Sequence, residues 1–138
     1  MPNGFNINRC KGWDDITDAL EDDDPPWTLA KKDGFGAFQV SVASYAEGAE
    51  NPLADDLIAT LLEFSKEQEF GTPEDIVQKQ GKLQLAAASF RDQGNFIRIW
   101  YLSNGSDLAH ASYICEEGKE DHEVEECEKM INSLRFKK

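Results

Sequence analysis

The chain has 138 residues, 40% of them hydrophobic, with eight Phe, three Trp and three Tyr, enough apolar and aromatic mass for one packed domain spanning 1–138 and too much for a disordered chain. Acids outnumber bases 27 to 14, a net charge of −13. Nucleic-acid and anionic-membrane affinity come from Lys and Arg displacing counterions, so this charge excludes both classes and favours basic protein partners.

The opening MPNGFNINRCKGW holds no apolar run like a secretory leader, and no later stretch has the roughly 18 apolar residues of a membrane span. Three irregularly spaced cysteines give no disulfide framework. A soluble protein of the reducing cytoplasm is the expectation. FNINRC (5–10) alternates weakly, as an edge strand does, and WTLAKK (27–32) reads as another strand. Between them runs an acidic stretch from Asp14 to Asp24, which Pro25 and Pro26 keep from being helical.

GAFQVSVASY (36–45) is a strand, with Phe38, Val40 and Val42 on one face. Asn51 is a good N-cap and Pro52 fits the first helical position. Leu53, Leu57, Ile58, Leu61, Leu62 and Ser65 then form an apolar stripe at helical spacing. The spacing predicts a helix over 52–69, stopped by Gly71. TPEDIVQKQGK (72–82) has a helix-start pattern at Thr72, Pro73 and Asp75, yet also reads as a strand turning at Gln80-Gly81; the extended reading is preferred.

KLQLAAASF (82–90), NFIRIWYLS (95–103) and DLAHASYIC (107–115) form a three-strand meander. Asn104-Gly105 suits a two-residue type I′ turn, which pairs Tyr101 with Leu108, Trp100 with Ala109, Ile99 with His110 and Phe96 with Tyr113. One face then carries Phe96, Arg98, Trp100, Ala109, Ala111 and Tyr113, the other Ile97, Ile99, Tyr101, Leu108, His110 and Ile114. Both are apolar enough to need cover. From Asp121, Val124, Cys127, Ile131 and Leu134 mark a second helix over 121–134, with Glu123 and Glu125 at its positive end. The element order predicts an α+β fold, an antiparallel sheet with helices packed against it.

Chemistry-bearing groups are sparse. Cys115, His122 and Cys127, with Cys10 as a fourth ligand, outline a zinc set, but no C-x-x-C pair exists and Cys127 lies on an apolar stripe. EDDDPP lacks the alternating oxygens and central glycine of a calcium loop. Neither histidine pairs in sequence with a nucleophile, and DGFGAF is too short for a phosphate loop and precedes a strand. No metal, cofactor or catalytic residue is expected.

The acids are the remaining signal. Seven lie in 14–24 with no base, and eight in 116–128 opposed only by Lys119. Asp14, Asp15, Asp18, Glu21, Asp22, Asp23, Asp24, Trp27, Glu116 and Glu117 form the candidate partner-binding set, because aromatics amid charge are enriched at recognition surfaces. The plainer alternative is that Trp13 and Trp27 point into the core while the acids decorate solvated loops.

GW (12–13), GAFQVS (36–41), Tyr45 with Gly48, the helix at Leu57, IWYLSNG (99–105), YIC (113–115) and EC…INSLRF (126–136) resemble small bacterial immunity-type proteins, which neutralise toxins encoded beside them. The element order also resembles the PsbP-like α/β/α sandwich of a photosystem II extrinsic subunit and a Ran-binding import factor. The resemblance implies stoichiometric occlusion of a basic toxin or effector acting in the cytoplasm, without cofactor or catalysis.

Overall fold

The computed structural model describes residues 5–17, 27–32, 34–44, 54–81, 83–104, 107–119 and 121–136. Its centre is a seven-stranded antiparallel sheet. In chain order the strands are β2 (Trp13–Asp15), β3 (Trp27–Lys31), β4 (Gly36–Ser44), β5 (Glu74–Lys79), β6 (Gln84–Asp92), β7 (Asn95–Ser103) and β8 (Asp107–Glu116). Their spatial order is β2-β3-β4-β8-β7-β6-β5. A separate two-stranded ribbon pairs β1 (Phe5–Asn6) with β9 (Arg135–Phe136) near the other end of the chain. The helices are α1 (Ala54–Glu67) and α2 (Asp121–Ser133). The expected α+β class and both helices are present, and residues 74–79 are extended as preferred.

Each face of the sheet has its own core, because successive strand residues point to opposite sides. Trp13, Leu29, Phe38, Val40, Phe96, Trp100 and Tyr113 pack with Cys127, Met130, Ile131 and Leu134 of α2. On the other side Ala86, Ala88, Phe90, Ile97, Ile99 and Tyr101 pack with Leu57, Ile58 and Leu61 of α1. Small residues on β6 let α1 approach closely there. Burying a leucine such as Leu61, fully enclosed, stabilises by about 1.5–3 kcal/mol.

The β7–β8 register differs from expectation by two residues. Ser103 faces Leu108, Leu102 faces Ala109, Tyr101 faces His110 and Phe96 faces Cys115. Asn104 does not take the positive φ of a type I′ turn. Its side-chain oxygen instead accepts from Asp107 N–H at 2.7 Å, so the hairpin closes with Asn104 and Asp107 opposite each other. A shift of two residues leaves every side chain on its own face, so the two face assignments survive the wrong register. Type I′ geometry occurs one hairpin earlier, where Gln93 (φ 50) and Gly94 (φ 81) link the paired Asp92 and Asn95.

Helix α1 also ends differently, at Glu67, four residues before Gly71. Phe70 N–H donates to Ser65 O and Glu69 N–H to Lys66 O, with Glu69 at φ 59. That is a Schellman stop with glutamate in the left-handed position, and the Phe70 ring meets Phe64 at 6.2 Å as its hydrophobic contact. FNINRC contributes only Phe5 and Asn6 to pairing, outside the main sheet. Strand β2, which overlaps the start of the acidic stretch and was not expected, forms the sheet's edge against β3.

Candidate functional site

Among the described acids in 116–128, the carboxylates of Glu123, Glu126 and Glu128 are tied to other elements of the fold. Glu123 is 5% exposed; its carboxylate accepts from Phe35 N–H (2.8 Å), Gly36 N–H (3.0 Å) and Tyr113 O–H (2.9 Å). It pins the start of β4 to the first turn of α2. Glu126 accepts from Lys31 Nζ at 2.9 Å, and that pairing raises the lysine pKa. Glu128 accepts from Arg98 Nε (2.6 Å) and Trp100 Nε1 (3.1 Å). Arg98, 6% exposed, also donates to Ser89 Oγ and to Asp75 O, at the irregular start of β5. Buried charge is tolerated here because the guanidinium pairs with a carboxylate and donates to two further oxygens. Glu117 shares Arg91 with Glu74 on the surface, at 3.2 and 3.1 Å.

The N-terminal candidates divide by strand parity. Asp15 and Trp27 lie on the α2 side and bind each other, Trp27 Nε1 donating to Asp15 Oδ2 at 3.0 Å. Hydrogen bonds from Thr17, then from Trp27, hold the Asp15 carboxyl below its usual range. Trp27 is half-buried with its ring edge on Phe5, and Trp13 is a core residue against Tyr113. Asp14 projects from the opposite side and is exposed. Asp18, Glu21, Asp22, Asp23 and Asp24 lie outside the described residues.

Among the described candidates, the N-terminal residues stand apart from Glu116. Trp27 is level with Val40 and Ala111, whereas Glu116 is five residues further along β8, about 17 Å at 3.4 Å per residue. Asp14, on β2, is level with Ile114, two residues before Glu116, and stands three strand spacings from β8, roughly 14 Å.

What gathers near Glu116 is an apolar corner that the sequence did not single out. Phe35 is 59% and Ile114 44% exposed. Gly36 pairs with Cys115 and Ala37 with Ile114, which sets Phe35 diagonal to Ile114 at about 7–8 Å. Half-buried Ala30 and Ala37 continue the row from Ile114 to exposed Asp14. Lys119 Nζ sits 5.5 Å over the Phe35 ring. Helix α1 lies mainly over β5, β6 and β7 on this side and meets β8 at His110 through Phe64, while Phe35 and Ile114 at the end of β4 and β8 are exposed. The signal available in sequence was Ile114, apolar between polar Ser112 and Glu116 at the end of β8.

Reactive groups are not assembled for chemistry among the described residues. His110 is wedged between Tyr101 (4.8 Å) and Phe64 (5.0 Å), and burial lowers its pKa. Burial also raises Tyr101 to about 12 and pushes Tyr113, Cys10 and Cys127 upward. A cleft of about 600 Å³ at the end of α1, lined by Leu62, Lys66, Glu69 and Pro73 among others, contains none of these groups. No group of three His, Cys, Asp or Glu among the described residues could hold a metal ion.

No family model and no curated protein matches the chain. A solved structure from Bacteroides thetaiotaomicron is similar, with 22% identity and a TM-score of 0.62 over 97% of this chain and 45% of that one. The likeness is one of fold, and this chain spans less than half of that protein's length. Among the described residues no helix is long and apolar enough to cross a membrane.

Proposed function

We propose that this chain is a non-catalytic protein-binding domain, an immunity-type neutraliser that occludes a basic toxin or effector acting in the cytoplasm. The finer fold reading that accompanies it is the PsbP-like sandwich, in keeping with one helix on each sheet face. The observation that carries the proposal is the exposed pair Phe35 and Ile114 beside exposed Glu116 on a strongly acidic chain. Large apolar side chains supply contact energy, while the surrounding acids steer a basic partner and fix its orientation.

The test is to produce the protein encoded by the adjacent gene and follow its association with this chain by stopped flow at rising salt. The proposal expects a basic partner, tight binding, and an association rate falling about tenfold between low and high salt. A neighbour that neither binds nor harms cells overturns the immunity reading. A housekeeping partner with the same footprint identifies an adaptor instead.

A further inference from the structure

At the opposite corner of the sheet, on the α2 side, a groove of about 300 Å³ opens between the last turn of α2 and the β5–β6 connection. Its floor is aliphatic, formed by Leu85, Leu102, Ile131 and Leu134, with Lys79 and Arg135 at its rim. The other lining residues are uncharged, so this wall carries two bases and no acid in a chain with 27 acids and 14 bases. The local charge is the reverse of the whole.

We propose that this groove binds a small aliphatic monocarboxylate, its tail along the leucine floor and its carboxylate held by Arg135 and Lys79. The guanidinium fork matches a carboxylate in two-point geometry, and the ammonium adds a mobile point charge. Arg135 uses one donor on Leu134 O, at 3.4 Å, which keeps its stem by the groove mouth with the other donors available. Cavities that hold small ligands run from about 300 to 1,000 Å³, so this one is sized for a short acid and not for a phospholipid. The net charge of −13 opposes anions at long range, but salt at physiological strength screens it beyond about 8 Å, leaving the two rim cations to decide. The site stands apart from the Phe35–Ile114 corner and does not depend on its reading.

The experiment is an amide-resolved NMR titration with sodium hexanoate, hexan-1-ol and sodium acetate, at physiological salt. Hexanoate should shift Gly81, Asn132 and Arg135 saturably with a Kd near 1 mM, an affinity about right for so few ligand atoms. Hexanol should bind at least fivefold more weakly for want of the charge, and acetate should not saturate for want of the tail. A Lys79→Gln/Arg135→Gln variant should weaken hexanoate at least fivefold and leave hexanol unchanged. Equal affinity for acid and alcohol, shifts scattered away from the groove, or full hexanoate affinity in the double variant each overturn the proposal.

Discussion

Replacing Glu123 with alanine removes the acceptor for three donors at once, those of Phe35 N–H, Gly36 N–H and Tyr113 O–H. Tyr113 is fully enclosed, so without Glu123 its hydroxyl is left with the Cys115 thiol, a weaker acceptor. Leaving a buried donor unmet costs about 1–3 kcal/mol. Phe35 is exposed, so solvent can recover part of the backbone loss. The sum is about 3–4 kcal/mol, a large share of the 5–15 kcal/mol typical of a folded domain. Glu123→Gln keeps one acceptor oxygen but turns an NH2 toward a donor, and should cost about half as much. The assay is urea unfolding of the wild type, both variants, Tyr113→Phe and the Glu123→Ala/Tyr113→Phe double variant. The cycle should return a coupling of about 1–2 kcal/mol between the two side chains. A Glu123→Ala loss below about 1 kcal/mol, which lies within ordinary surface-substitution cost, would refute the clamp.

Gly36 is a second sharp position, because an added Cβ would clash with the Ile114 carbonyl oxygen and meet Tyr113 Cε1 at 2.8 Å. Gly36→Ala should therefore destabilise by about 2 kcal/mol or more as β4 and β8 separate, and a neutral thermal melt would contradict this packing. Glu69 pays the left-handed backbone cost of the α1 stop at φ 59, so Glu69→Gly should stabilise by about 0.5–1 kcal/mol in the same urea assay. No gain, or a loss, would count against the Schellman assignment. His110 is held neutral by burial, so its folded pKa lies below the ordinary value. The unfolded chain then takes up the proton first, and the stability from this residue falls as pH drops below about 6.5. A His110→Phe variant should flatten that slope between pH 7 and 5; an unchanged slope assigns it to other groups.

Strand and helix identity was legible because periodicity is a local property. The IWYLS strand and the Cys127–Ile131–Leu134 stripe needed no partner to be read. Register was not local. Asn104-Gly105 fits a type I′ turn in isolation, but the Asn104 side chain caps Asp107 N–H and moves the pairing. Gln93-Gly94 adopts that turn with a residue that does not advertise it. Short strands such as β2 and the β1–β9 ribbon are specified by partners far along the chain, so no window contains their signal. The placement of the acids was not legible for the same reason: density along the chain counts charges without showing where they point. A spacing clue did exist for Glu123, which stands four residues before Cys127 and seven before Met130, in line with the apolar stripe. The Phe35–Ile114 corner needed the β4–β8 register, which no single segment holds.

The most direct test of the proposed function is the dissociation constant for the adjacent-gene product, measured by calorimetry on the wild type and on Phe35→Ser/Ile114→Ser. Both side chains are exposed, so thermal stability should change by less than about 1 kcal/mol. If the corner is the docking surface, losing two apolar anchors should raise Kd at least about 30-fold, the scale of a 2 kcal/mol hot spot. A folded double variant that binds with wild-type affinity would contradict the account.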